Sequence, residues 1–117
     1  MKSRDYTRVN YAVGASISYG DQVAICTTKN LSLRGIYLKT GYEIPLNVPV
    51  CVTVYHSGMS SFKVSAKVVR KEENGIGLQI SDLNVDSFVQ LRELVAEQSN
   101  NRGAIIQETF KMLKCIH

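Results

Sequence analysis

The sequence predicts a mainly β domain: a small antiparallel barrel of about six short strands, closed by one or two helices at its C-terminal end. Three observations carry this expectation. Between Ala15 and Ile80, apolar residues alternate with polar ones in short runs, and Gly, Pro, Asn and Ser punctuate the runs. After Ser81 the apolar spacing lengthens to three and four residues, the period of a helix. The length, 117 residues, suffices for one core and is too short for two. A barrel is favoured over an open sheet because it leaves no strand edge unpaired.

Taken in order, residues 1–10 are polar without a clean period and read as a loop or flexible arm. ASISYGDQVAICT, from Ala15 to Thr27, alternates imperfectly around a Gly20-Asp21 turn signal, so it is either a strand pair or one bent strand. Asn30 to Arg34 reads as a turn feeding the short strand Gly35 to Thr40. Pro45 and Pro49 bracket a loop before the β-branched run Val50-Cys51-Val52-Thr53-Val54-Tyr55. His56 to Ser61 turns the chain into Phe62–Arg70, the cleanest alternation present. Glu72-Glu73-Asn74-Gly75 reads as a hairpin turn whose Asn-Gly pair tolerates positive φ, and Ile76 to Ile80 returns as the last strand. Gly77 inside that strand signals a tight bend or close backbone approach.

Val85, Phe88, Val89, Leu91, Leu94 and Val95 then outline an amphipathic helix, with either Asn84 or Asp86 as its cap. Ser99 to Gly103 breaks it, and Ala104 to Ile116 forms a second candidate helix. There Ile106, Phe110 and Leu113 share one face, while Ile105, Met112 and Ile116 widen it. Packing within the chain is favoured over a partner surface for this stripe. The expected division is a domain over 1–98, including the arm over 1–10, and a helical extension over 99–117.

Composition narrows the function. Apolar residues make up 44% and charged ones 21%, as in an ordinary globular protein. The apolar runs are too short to span a bilayer, and the polar opening lacks the apolar core of a secretory signal, so membrane insertion is excluded and the cytoplasm expected. Cys26, Cys51 and Cys115 are odd in number and lack a CxxC pair; Cys26 and Cys51 are expected to act as small core hydrophobes. His56 and His117 stand apart, so neither a metal site nor a nucleophile constellation is read, and no cofactor is expected. No Ser/His/Asp set, paired-carboxylate motif or P-loop supports an enzyme; Asp82 and Asp86 read as capping and dipole residues. The net charge of +4 favours an anionic partner. The basic residues are too sparse for extended nucleic acid, which leaves a small, highly charged anion.

Two elements have the chemistry for such an anion. Arg4 and Arg8, four apart in RDYTR, offer planar, permanent charges that clamp phosphate or stack on a base. Asn30-Leu31-Ser32-Leu33-Arg34-Gly35 offers an amide, a hydroxyl and a glycine that admits a close ligand. In this order, ahead of a strand-rich pattern, they resemble the RxxxR and (D/N)xSxxG signature of PilZ domains over about residues 4–96. The plainer alternatives are solvated charges at Arg4 and Arg8, turn residues at Asn30 and Ser32, and a backbone requirement at Gly35.

The resemblance implies a six-stranded barrel with a C-terminal helix, and a receptor for the bacterial second messenger cyclic di-GMP or a related cyclic dinucleotide. Arg4 and Arg8 match the positions that meet guanine and phosphate. Asn30 and Ser32 match those that hydrogen-bond guanine or hold the backbone, and Gly35 matches the family glycine. Arg34, beside the motif, is expected to be exposed, with a phosphate contact open to it. Tyr6 either stacks on a base or packs over the barrel. Ligand is expected to pull the arm onto the barrel, and this ordering is relayed to an unidentified downstream protein, the chain being read as a stand-alone domain. The competing reading is a ligand-independent PilZ-like adaptor acting through protein contacts.

Overall fold

The structure, a computed structural model, describes residues 6–117. Arg4 and the rest of residues 1–5 lie outside the described residues. Seven strands follow in order: β1 (Val9–Asn10), β2 (Gly14–Tyr19), β3 (Gln22–Leu31), β4 (Gly35–Lys39), β5 (Pro49–Tyr55), β6 (Ser61–Glu72) and β7 (Gly75–Asp82). The helices α1 (Val85–Ser99) and α2 (Arg102–Lys111) come next, with a 3-10 turn at Leu113–Cys115. The strands run β1-β3-β2-β5-β6-β7-β4, all antiparallel, and β4 pairs again with β3. That last pairing closes six strands into the barrel, and β1 is an addition to it.

Alternation decides which side chains fill the barrel. Along β6, Phe62, Val64, Ala66 and Val68 are buried while Ser61, Lys63, Ser65 and Lys67 face water. On β5 the same rule buries Val50, Val52 and Val54 and turns Cys51 outward, so only Cys26 of the two strand cysteines acts as a core hydrophobe. Gly20-Asp21 separates a true strand pair, and Gly20 adopts the left-handed φ of 59° that its turn needs. The β6–β7 hairpin differs from expectation: Glu73 and Asn74 form the turn without positive φ, and Gly75 already belongs to β7. A Cβ on Gly75 would sit 2.6 Å from the Leu38 carbonyl oxygen and 2.7 Å from the Tyr37 ring. Of the two readings of Gly77, the close approach lies instead at Gly75, while Gly77 stands opposite Arg70 at an irregularity in β6.

The C-terminal helices fold onto this barrel. Asn84, and not Asp86, caps α1 by accepting from the Ser87 amide at 2.8 Å. The α1 stripe is Phe88, Leu91, Leu94 and Val95; Val85 and Val89 are exposed. Asn101 caps α2, whose inner face carries Ile105 and Glu108, with Met112 buried just beyond it. Ile106, Phe110 and Leu113, the residues of the expected stripe, are instead 58–65% exposed. The last residues are tied back through the backbone, with the Leu83 amide donating to Cys115 and the His117 amide to Leu83.

Candidate functional site

The site is assembled where β1, β3 and β4 meet. Thr28, fully buried, donates its hydroxyl to the Tyr11 carbonyl at 2.6 Å and accepts from the Val13 amide at 3.0 Å. This hooks the β1–β2 connection onto β3, so β1 pairs in register: Val9 with Leu31, Asn10 with Asn30. On its other side Asn30 faces Tyr37 of β4, just past an irregularity between Thr28 and Asn30. Asn30 is thus a strand residue flanked on both sides, not the turn residue its type suggested. The end of the expected arm is likewise a strand, with Arg8 immediately before it.

Arg8, Asn30 and Gly35 line one cleft of about 290 Å³. Tyr37, Val69 and Arg70 complete much of its wall, and Gly77 and Leu78 contribute from β7. Ser32 does not line it. Its side-chain oxygen accepts from the Gly35 amide at 2.9 Å and the Arg34 amide at 3.2 Å, and the residue is buried. Ser32 thereby fixes the turn that delivers Gly35. A Cβ on Gly35 would meet the Leu78 carbonyl oxygen at 3.2 Å, a tight contact with the neighbouring strand. Arg34 is half-buried, and its Nε donates to the Ile80 carbonyl at 2.9 Å, tying that guanidinium to β7. Tyr6 packs on the core, with the Lys111 ammonium 5.2 Å from its ring centroid.

One cluster escaped the sequence reading. The Arg70 guanidinium and the Lys29 ammonium lie 5.5 Å and 5.6 Å from the Tyr37 ring centroid. Glu72 accepts from the Tyr37 hydroxyl at 2.7 Å and pairs with Arg70 Nε at 3.0 Å. The hydrogen bond to Glu72, followed by burial and the Glu72 charge, raises the Tyr37 pKa, so the phenol stays a neutral donor. Simple alternation along β6 would aim Arg70 into the core with Val68. A bulge between them opposes Val68 to Leu78 and Arg70 to Gly77, and brings Arg70 out into the cleft. A positive charge at an inward position of an otherwise clean strand is the signal that could have revealed the bulge.

The result is a shallow cleft with planar cationic groups, an aromatic ring and an amide, suited to a flat anionic ligand. Among the described residues, no group of three or more His, Cys, Asp or Glu could hold a metal ion. His56 instead shares a 2.8 Å hydrogen bond with Gln90. Among the described residues, no helix is long and apolar enough to cross a membrane.

The PilZ domain family model matches residues 2–97. No curated protein matches the sequence. Among solved structures, the Bacillus subtilis inhibitor of motility MotI/DgrA is similar at a TM-score of 0.72 and 16% identity, over 87% of this chain and 53% of that one. This chain therefore spans about half the length of that relative. The PilZ domain of YcgR from Escherichia coli with c-di-GMP follows at a TM-score of 0.68 and 12% identity, over 86% and 94% of the two chains. The PilZ domain of CeSA from a cellulose-synthesising bacterium gives 0.64 and 16%, over 78% and 96%.

Proposed function

We propose that this chain, which belongs to the PilZ domain family, is a receptor for cyclic di-GMP that acts by binding and not by catalysis. The observation that carries the proposal is the convergence of Arg8 with Asn30 and Gly35, from a separate stretch of sequence, on one cleft beside Tyr37 and Arg70. Cyclic di-GMP presents two phosphates and two guanines. Arg8 and Arg70 offer charge and stacking surface, and an arginine can also bridge guanine O6 and N7. Asn30 offers a donor and an acceptor to a guanine edge. Ser32 supports the site through the turn. The YcgR domain solved with c-di-GMP shares the fold and lends the ligand assignment its analogy.

The cleft, about 290 Å³, is at the small end of ligand sites, which run roughly 300–1,000 Å³. Cover from the arm would complete it, and Arg4 is proposed to supply that cover. Tyr6, Thr7, Val9 and Asn10 are already held by the core, α2 and β3, so the proposed ordering is confined to the arm ahead of Tyr6. Fixing each backbone residue costs about 1–2 kcal/mol, which charge-assisted contacts to phosphate must offset. The ordered arm is then the signal offered to a separate protein. The adaptor reading draws on one observation, the exposed face of Ile106, Phe110 and Leu113.

Calorimetry with cyclic di-GMP, GMP and a short single-stranded DNA separates these readings. Cyclic di-GMP should bind preferentially, and Arg8→Ala and Arg4→Ala should each weaken binding by about 1.5–3 kcal/mol with the fold intact. Equal affinity in both variants, or no binding by the parent protein, would refute the receptor assignment.

A further inference from the structure

We propose that Glu108, on a helix beyond the family-matched residues, is a positioning residue for the ligand site. Its carboxylate clamps Thr7 and thereby fixes Arg8 at the cleft. The ligand's identity rests on the cyclic di-GMP reading; the clamp itself does not.

Glu108 is only 8% exposed, an unusual place for a carboxylate unless its oxygens are hydrogen-bonded. Both are engaged by one residue a hundred positions away. Oε1 accepts from the Thr7 amide at 2.8 Å, and Oε2 accepts from the Thr7 hydroxyl at 2.6 Å. Because backbone and side chain of Thr7 are gripped together, the clamp sets orientation as well as position. On the far side of Arg8, Val9 and Asn10 are paired with Leu31 and Asn30. Arg8 is therefore one residue between two fixed points, and its cleft neighbour Asn30 is the partner of Asn10 in that pairing.

The rest of α2 holds the clamp to its task. Ile105, Glu108 and Met112 follow the i, i+3, i+7 spacing of one helix face, and the two apolar members are buried. Their burial sets the rotation of α2 and aims Glu108 at the arm. Lys111, one turn on, approaches the Tyr6 ring from the same helix. Arg8 lines both the cleft and the recess formed with Tyr6, Thr7, Asn10 and Glu108, so it joins ligand site and clamp directly.

A positioning residue predicts effects that pass through Arg8. Glu108→Ala should weaken cyclic di-GMP binding about tenfold, while Glu108→Gln, which keeps an acceptor for the amide and a donor for the hydroxyl, should stay within about threefold. In an Arg8→Ala background, Glu108→Ala should cost no further affinity, because the residue it positions is gone. Amide exchange supplies a readout without ligand: Thr7 should be protected in the parent and lose that protection, about tenfold or more, in Glu108→Ala. Unchanged Thr7 exchange overturns the clamp. Lost protection with unchanged or tighter binding, or a full tenfold loss that persists without Arg8, overturns the positioning role. A parent protein that keeps its Thr7 protection but does not bind cyclic di-GMP overturns the receptor reading and the role given to the clamp, while leaving the clamp as a structural contact.

Discussion

Ser32→Ala removes one oxygen that two backbone amides share. The Gly35 amide donates to it at 2.9 Å and the Arg34 amide at 3.2 Å. A net hydrogen bond contributes about 1 kcal/mol, and the longer of these contributes less. Arg34 and Gly35 are only half-buried, so water recovers part of the loss. The expected destabilisation is about 1–2 kcal/mol. With an unfolding entropy of about 2.1 cal/mol/K per residue, that lowers the melting temperature of 117 residues by about 4–8 °C. Urea unfolding at constant m-value measures the same quantity independently. The effect on ligand should be smaller, because both acceptor positions of this hydroxyl serve the turn and only its proton is left to give. Direct loss of cyclic di-GMP affinity should stay near tenfold or below, about 1.4 kcal/mol. A variant that melts within 1 °C of the parent, on the order of 0.2 kcal/mol, yet binds a hundredfold more weakly would refute this reasoning and make Ser32 a ligand contact first.

Three further outcomes are expected. Gly75→Ala should destabilise by about 1–3 kcal/mol on chemical unfolding, since its Cβ would press on the Leu38 carbonyl and the Tyr37 ring, whereas Gly58→Ala, in open space, should be near neutral. Burial pushes the Cys26 thiol up to about 11, so the unfolded chain loses that proton first; the stability it contributes is complete below about pH 9 and falls as pH rises towards 11, and Cys26→Ala should flatten that part of the stability curve. Deleting residues 102–117 exposes the site of Ile105, Met112 and Cys115 and should lower the melting temperature by 10 °C or more, on the order of 2–5 kcal/mol; an unchanged melt would mean that α2 does not support the barrel.

The strands of the second half were legible because one face meets the core and the other meets water, which writes a period of two into β5 and β6. Asn30 was not. Its turn preference is weak beside pairing to Asn10 and Tyr37 on its two sides, and strand partners twenty residues back leave no local trace. The α2 stripe shows a related failure. Spacing placed Ile106, Phe110 and Leu113 on one face, but spacing alone does not say which face turns inward; Ile105 and Met112 settled that through packing. Of the candidate site, Arg8, Asn30 and Gly35 were readable as residue types in a motif. Arg70 was hidden by a bulge that resets the alternation, and Glu108 by its distance from Thr7.

The separation of 101 residues between Thr7 and Glu108 also imposes an order in time. At the usual pace of about 5–20 residues per second, a ribosome finishes β3 and the Ser32–Gly35 turn within seconds of Thr7 but reaches Glu108 some 5–20 s after it. Throughout that interval the nascent arm can find β3 but has no acceptor for its Thr7 donors. Thr7 is thus among the last of the described residues to gain its partner, and newly made protein passes through a window in which the barrel strands exist and the Thr7–Glu108 clamp does not.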